Sequence, residues 1–173
     1  MGVAMAADRV LYLADEENLT IRKVTTLAGA VGTKGSADGP GAKARFYYPG
    51  GVAVNASGTL YVADADNHTV RKITVARDVI TLARLAGHKG NADGAGVAAR
   101  FDLPHSLVVA ADGTVYMADT HNHIIRKIMS AGIVTTLAGG AGHKGSADGA
   151  GTTTRLPSVR RGLGCLRDVV RGR

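Results

Sequence analysis

LYVADADNHTVRKI, at residues 60–73, is the stretch that decides the fold of this chain, because the chain contains it in three versions. Residues 115–128 repeat it as VYMADTHNHIIRKI, and residues 11–24 repeat it more loosely as LYLADEENLTIRKV. A second phrase lies between the copies and starts at Gly32, Gly87 and Gly142 as GTKGSADGPGAKARF, GHKGNADGAGVAARF and GHKGSADGAGTTTR. Two long phrases that alternate in a fixed order are typical of a repeat architecture.

Each unit has the pattern of four short strands joined by tight turns. In unit two the strands are predicted at residues 51–54, 59–63, 69–73 and 79–85, and in unit three at 106–109, 114–118, 124–128 and 133–138. The Ser-Gly and Asp-Gly turns between the first two strands supply the positive φ that hairpins need. Val70 and Ile73 point to opposite faces of one strand, so both faces must be covered by neighbouring units. The pattern favours β-propeller blades.

The units resemble NHL repeats. The residues that carry the resemblance are the two longer copies, at 60–73 and 115–128, each following a GxxGxxDGxGxxARFxxP loop. The resemblance covers residues 2–155, although unit one has Asn18-Leu19 where the others have Asn-His. It implies an all-β propeller, often of six blades. We therefore expect about three blades of a partial six-bladed propeller, near residues 2–28, 51–86 and 106–138, followed by the start of a further loop.

The end of the chain departs from the pattern. After Arg155 the repeat predicts Phe, two residues and Pro, but the chain continues as LPSVRRGLGCLRDVVRGR. We expect residues 156–173 to be an anomalous, disordered basic tail, produced by a broken reading frame or by truncation of a longer propeller. A genuine basic tail is the alternative. More than half of the net charge of +7 lies in this tail, which weakens the case for nucleic-acid binding.

The acids and arginines that recur in every unit are interpreted as structural, because a catalytic group is normally unique in a fold. We expect Asp15, Asp64 and Asp119 to cap turns and to pair with Arg22, Arg71 and Arg126. Asn67 and Asn122 belong to the same turns. We expect the loop acids Asp38, Asp93 and Asp148 to pair with Arg45, Arg100 and Arg155. No catalytic residue is predicted.

Binding residues are expected on the loops. Chain direction alternates across four antiparallel strands, so the turn after strand two and the loop after strand four leave at one rim. Loops on a rigid scaffold commonly carry function. The candidates there are Lys34, Lys89, Lys144, His68, His88, His123 and His143. His121 and His123 have a spacing that a zinc site uses, but there is no Cys cluster, and we expect no metal and no cofactor.

The function predicted from these features is non-catalytic protein–protein interaction through the loop face. One alternative is RNA binding by a basic propeller face, which would weaken steeply with salt. Another is a hydrolase or lyase fragment of the gluconolactonase type. A homodimer that completes the propeller is a further expectation. No apolar run approaches the roughly 18 residues of a membrane span, and no secretory signal is recognised, so a cytoplasmic location is expected.

Overall fold

A computed structural model describes residues 2–7, 10–23, 25–83 and 86–156 of the 173-residue chain. Regular structure in these ranges is almost wholly β-strand, with short 3₁₀ turns at Gly96–Ala98, Thr120–Asn122 and Gly151–Thr153. No helix within these ranges has the length and apolarity needed to cross a bilayer. The predicted all-β architecture is confirmed. The predicted basic tail lies outside the described residues from residue 157 onward.

The strands form three antiparallel sheets, which we call blades 1, 2 and 3. Blade 1 contains β1 (Gly2–Met5), β2 (Leu11–Asp15), β3 (Thr20–Arg22) and β4 (Thr26–Gly29). Blade 2 contains the short β5 (Gly39–Pro40), then β6 (Pro49–Val54), β7 (Leu60–Asp64), β8 (Thr69–Ile73) and β9 (Asp78–Ala83). Blade 3 contains the short β10 (Gly94–Ala95), then β11 (Pro104–Val109), β12 (Val115–Asp119), β13 (Ile124–Ile128) and β14 (Ile133–Ala138).

Within each blade, strands that follow one another along the chain lie side by side, and β5 and β10 add a fifth strand outside β9 and β14. The turn from β6 to β7 shows why the chain reverses there: the Asn55 side-chain oxygen accepts hydrogen bonds from the backbone N–H groups of Ser57 and Thr59, at 3.1 and 2.9 Å. Blade 1 has a shorter fourth strand, as its shorter spacing between Lys23 and Gly32 predicts.

The first strands of the blades, β1, β6 and β11, are neighbours in space, with β6 in the middle. Glycine permits their close approach. A Cβ on Gly51 of β6 would collide with the backbone carbonyl oxygen of His105 at the start of β11. A Cβ on Gly2 of β1 would lie 2.7 Å from the Cα of Gly51. The narrow inner edge of the blade stack therefore depends on residues without side chains.

The cores lie between blades. Ile21 of blade 1 and Ile73 of blade 2 belong to one core, whereas Val70 of blade 2 and Met117 of blade 3 belong to the next. Each core also receives one fully buried phenylalanine, Phe46 or Phe101, from the loop that joins the two blades. Burial of one such ring contributes roughly 2–3 kcal/mol. The loops are therefore part of the core, and the blades depend on each other for burial.

Candidate functional site

Blade 2 contains a fully buried arginine that joins the blade to the preceding loop. Arg71 of β8 donates a hydrogen bond from Nη1 to Asp64 of β7 at 2.9 Å and from Nη2 to Asp38 of the loop at 2.6 Å. Its two nitrogens also donate to the carbonyl oxygens of Arg45 and Ala37, at 3.0 and 2.9 Å. We call this arrangement the arginine clamp. It gives the two Nη atoms of a buried charge four acceptors, while Nε has no partner among the described residues, and it fixes the loop against the blade.

Blade 3 repeats the clamp. Arg126 is also fully buried and contacts Asp119 at 3.1 Å, Asp93 at 2.9 Å and the carbonyl oxygens of Arg100 and Ala92, both at 2.8 Å. Each clamp guanidinium lies 5.2 Å from the centre of a phenylalanine ring, Phe46 or Phe101. The predicted pairing of Asp64 and Asp119 with the arginines of their own units is thus observed.

The expected pairing of Asp38 with Arg45 is wrong, and so is that of Asp93 with Arg100. Arg45 instead donates to the carbonyl oxygens of Ala42 and Ala44 in its own loop. Arg100 does the same with Val97 and Ala99. The loop acids turn to the clamp arginine, because a buried guanidinium needs several acceptors and a second carboxylate supplies one of them.

The clamp aspartates are also held by several hydrogen bonds. Asp64 accepts hydrogen bonds from the Tyr47 backbone N–H and the Asn67 side chain, both at 2.8 Å. Asp119 accepts equivalent bonds from the Asp102 N–H and Asn122, at 2.7 and 2.8 Å. Burial raises the pKa of both carboxyls to about 6, although these donors and the arginine oppose the shift. Both carboxyl groups face the interior, so we assign them a structural role.

The turn after the second strand and the loop after the fourth lie at one rim, which we call the loop face. Backbone bonds join them in every blade: Gly32, Gly87 and Gly142 donate to the carbonyl oxygens of Asn18, Asn67 and Asn122, at 3.4, 3.3 and 3.0 Å. In blades 2 and 3, the asparagine side chain also donates to Gly35 and Gly90 of the preceding loop, at 2.6 and 2.7 Å. The loop face is therefore rigid at its base.

A cavity of about 290 Å³ opens on the loop face between blades 2 and 3. Its polar lining comes from Tyr48 and His105, next to the first strands, and from Asp66 and His121, on the turns after the second strands. Leu103, Ala65 and Thr120 complete the lining. We call this cavity the rim pocket. Tyr48 and Leu103 both have positive φ, 56° and 49°, a conformation that non-glycine residues adopt only when surroundings hold them.

Acidic groups from blade 1 reach the edge of the rim pocket. Glu16 Oε1 lies 3.9 Å from His105 Nε2. The charge of Glu16 is the main cause that raises the pKa of the Tyr48 phenol, with smaller effects from Asp66 and Glu17. Glu16 also accepts a hydrogen bond from that phenol. These carboxyl groups all raise the pKa of the tyrosine, which keeps its proton and acts as a donor.

A further acid, Asp102, lies beside a histidine of the pocket wall and is not itself part of the lining. Its Oδ1 lies 3.7 Å from His68 Nδ1 and 3.8 Å from His121 Nδ1. The Leu103 backbone N–H donates to His68 Nδ1 at 3.1 Å, so that nitrogen carries no proton and the imidazole is neutral. His68 is therefore a support for the strained Leu103. His121 is more exposed, and it lines the pocket.

The pocket residues stand at repeat positions that differ between units. Alignment of the three units puts Glu16, Ala65 and Thr120 at one position, and Glu17, Asp66 and His121 at the next. Tyr48 corresponds to Leu103, and His105 replaces Gly50. Recurrence between the units does not reveal them as a site. The signal that identifies them is variation between units: one unit has a polar residue at a position where the aligned residues of the other units differ.

The residues predicted to bind lie apart from one another. Lys34 is exposed, and its Nζ lies 4.7 Å from the centre of the Tyr47 ring. The charge of Lys34 favours the ionised form of Asp66, but burial has the larger effect and raises the pKa of Asp66. Lys89, Lys144, His88 and His143 are exposed on the loops, whereas His68 and His123 are half-buried. Only Lys34 and His68 therefore have a contact with the rim pocket or its supports.

A metal centre is not formed in the part of the chain that the structure describes, since no group of three or more His, Cys, Asp or Glu there has the geometry to hold an ion. Nor does the spacing of His121 and His123 bring them to one point. His123 has positive φ and a buried Nδ1 with no partner among the described residues. The rim pocket is accordingly an acidic, aromatic recess with two histidines at its wall.

Comparison with known proteins agrees with this architecture. The family pattern of the NHL repeat matches residues 46–73, which include Phe46, the whole of β6 to β8 and the clamp residues Asp64 and Arg71. No curated protein matches the chain.

Solved structures of similar fold include two auxiliary nutrient binding proteins. The one from Bacteroides thetaiotaomicron has 23% identity and a TM-score of 0.65, over 78% of this chain and 36% of its own. The one from Bacteroides ovatus has 18% identity and a TM-score of 0.65, over 90% and 40%. Virginiamycin B lyase from Staphylococcus aureus is more distant, with 14% identity and a TM-score of 0.53 over 78% and 39%. This chain spans about two fifths or less of each, and the likeness establishes the fold: three blades of a partial β-propeller.

Proposed function

We propose, from the premise that this chain carries an NHL repeat and folds as part of a β-propeller, that it is a non-catalytic module that binds a protein partner through its loop face. The observation that carries the proposal is the rim pocket. Its polar residues vary between units, while the buried clamp residues recur. Variation on a constant, rigid scaffold is typical of a recognition surface.

The chemistry of the rim pocket favours a basic side chain of the partner. Asp66 lines the pocket, and Glu16 and Asp102 lie 3.9 and 3.8 Å from the lining histidines His105 and His121. Tyr48 supplies an aromatic face. Lysine and arginine combine an apolar stem with a charged end, so the stem packs on the Tyr48 ring while the cation meets the carboxylates. The pocket volume of about 290 Å³ accommodates one such side chain. We therefore infer a partner segment with an exposed Lys or Arg.

The same charges oppose the RNA alternative. Phosphates would approach the acids of the rim pocket, whereas the exposed lysines Lys89 and Lys144 stand on separate loops. RNA affinity that falls steeply as salt rises would nevertheless revive it. The lyase alternative has support only from folds at 14% identity, and it stays a prediction that product analysis with a lactone substrate would test.

The proposal is tested by selecting a random peptide library on the immobilised full chain and measuring the enriched peptides by calorimetry. We expect them to share a lysine or arginine. We expect the substitution Asp66→Asn to weaken their binding about tenfold, the effect of losing one close charge pair of roughly 1.4 kcal/mol.

The matched control is Asp112→Asn. Asp112 lies in the turn between β11 and β12, at the opposite rim, and an Asn side chain can still accept from the Thr114 N–H as Asp112 does at 2.9 Å. This variant loses the same charge and should bind the peptides as the parent does. Equal weakening in both variants would show a general charge effect, and peptides without basic residues would contradict the proposed site.

A further inference from the structure

Among the described residues, the outer face of blade 1 is apolar and exposed. We call the face of a blade that points to the preceding blade its leading face. On blade 1 it shows Val3, Met5 and Leu11, which are 48%, 66% and 51% exposed. The aligned residues of blade 2 include Val52 and Leu60, which are 5% and 3% exposed because blade 1 covers them. A row of exposed aliphatic side chains on a sheet is a docking surface.

The opposite face of blade 3 is its trailing face, and it holds a small apolar cluster. Ala118 and Ile125 are buried there among Val108, Tyr116 and Leu137. In blade 2 the aligned Ala63 and Val70 pack against blade 3. Leu156 packs on the cluster of blade 3 in the place that Phe46 and Phe101 take in the two inner cores. The trailing face is thus one half of a junction.

The loop after blade 3 already has the shape of a loop that receives a blade. Gly145 donates to the Leu156 carbonyl at 3.1 Å and Arg155 to the Ala147 carbonyl at 2.9 Å. In the loop before blade 2, Gly35 donates to the Phe46 carbonyl at 3.1 Å and Arg45 to the Ala37 carbonyl at 3.0 Å, and the loop before blade 3 has the same pair of bonds. Those two loops each accept a clamp arginine. The loop after blade 3 has the same backbone hydrogen bonds, so it is shaped to accept a clamp arginine too.

The clamp is divided between the two ends of the described chain. Blade 1 has the arginine: Arg22 is 39% exposed at its side chain and contacts Asp15 at 3.5 Å, whereas Arg71 and Arg126 are fully buried. The loop after blade 3 has the acid: Asp148 aligns with Asp38 and Asp93, and it has no polar partner within the described part of the chain. Thr26 of β4 is the strand partner of Arg22, just as Thr81 of β9 is the strand partner of Arg71. The Thr81 backbone N–H donates a hydrogen bond to Asp38.

We propose that a second copy of this chain places the leading face of its blade 1 on the trailing face of blade 3, and that two copies joined in this way at both ends form a closed ring of six blades. Asp148 of one copy then accepts hydrogen bonds from the other copy's Arg22 and Thr26, and the Gly145 carbonyl accepts from its Asn18. We choose a second copy as the occupant because this chain already contains both halves of the junction, and the two halves have complementary charges. Head-to-tail contacts give a closed ring when the rotations complete a circle.

The first test is the molar mass of the full chain by light scattering across a dilution series. The ring predicts a species of twice the 17.7 kDa chain mass. A folded monomer at every concentration would overturn the proposal, and so would an open series of larger polymers. The outcome does not depend on the peptide experiment, since mass is measured without a ligand.

Charge exchange supplies the decisive test. Asp148→Arg alone places an arginine opposite Arg22 at each junction, and Arg22→Asp alone places an aspartate opposite Asp148. Because like charges then face each other, each variant should raise the dimer dissociation constant roughly a hundredfold. Mixing the two variants gives one native pair and one reversed pair, and the mixed dimer should form again. Asp112→Arg is the control with the same charge change as Asp148→Arg at the opposite rim, and it should remain dimeric. Circular dichroism confirms folding of each variant; failure of the mixture to restore the dimer would refute the contact.

Discussion

At the scale of single residues, three arginines with the same position in the repeat meet different surroundings. Arg71 and Arg126 are fully buried with two carboxylates each, and Arg22 is partly exposed with one. A buried guanidinium depends on the acceptors that it has, since removing one partner leaves an uncompensated buried charge, and the clamp is therefore a strict requirement of blades 2 and 3.

We expect Arg71→Met to lower the free energy of unfolding by about 3–5 kcal/mol, because it leaves Asp64 buried without its cation. The pKa of Asp64 should rise further. Urea unfolding followed by circular dichroism measures the loss. Lys72→Met on the same strand is the control, since Lys72 is only partly buried and should change stability by about 0.5 kcal/mol or less. A similar loss of unfolding free energy in both variants would mean that the clamp contributes no more to stability than a partly buried residue on the same strand.

The rim pocket offers a residue-scale prediction about charge. Glu16 is the main cause of the raised pKa of Tyr48, so Glu16→Gln should lower the pKa of that phenol toward its ordinary value of 10.0. Carbon-13 NMR of labelled tyrosine measures the titration. Tyr61 is the internal control, because burial raises its pKa and no carboxyl takes part. A Tyr48 titration unchanged by the substitution would show that the two side chains do not interact.

At the scale of strands, the predicted elements are largely those observed. The third strand of unit two was predicted at residues 69–73 and is found as β8 (Thr69–Ile73), and the last strand of unit three was predicted at 133–138 and is found as β14 (Ile133–Ala138). Alternating apolar residues between Gly-containing turns specify such strands locally. The short β5 and β10 were not predicted, because two residues paired at a blade edge have no periodicity to detect.

Close approach of the first strands makes a prediction at this scale. Gly51→Ala should lower the free energy of unfolding by about 3 kcal/mol, because the added Cβ meets the His105 carbonyl and forces β6 and β11 apart. Gly87→Ala is a matched change: Gly87 has φ +84° and open space, so it should cost only about 1–2 kcal/mol of backbone strain. Thermal unfolding of both variants compares them, and equal losses would contradict the steric argument.

At the scale of the whole molecule, the blades form a stack whose stability is shared among junctions. Blade 2 is covered on both faces, while blades 1 and 3 each have one face without a neighbouring blade among the described residues. A stack of this kind gains from closure, since each bare face is an apolar surface in water. The proposed ring of two chains removes both bare faces at once.

The loop face also belongs to this scale, because it collects residues that are distant in sequence. Glu16, Tyr48 and His105 come from blade 1, from the loop before β6 and from β11, and they meet at the rim pocket only once the three first strands lie side by side. The proposed recognition of a partner therefore requires the assembled stack.

The sequence by itself determined the repeat, the four-stranded unit, the places of the turns and the structural role of the recurring acids and arginines. These follow from local patterns, namely alternating apolar residues, turn glycines and two phrases that return in order. The pairing partner of Asp38 and the existence of the rim pocket were decided by tertiary structure. Both depend on which side chains approach across blade junctions, and burial of Arg71 selects its acceptors from residues more than 30 positions away. No local pattern contains that distance, because packing between blades sets it.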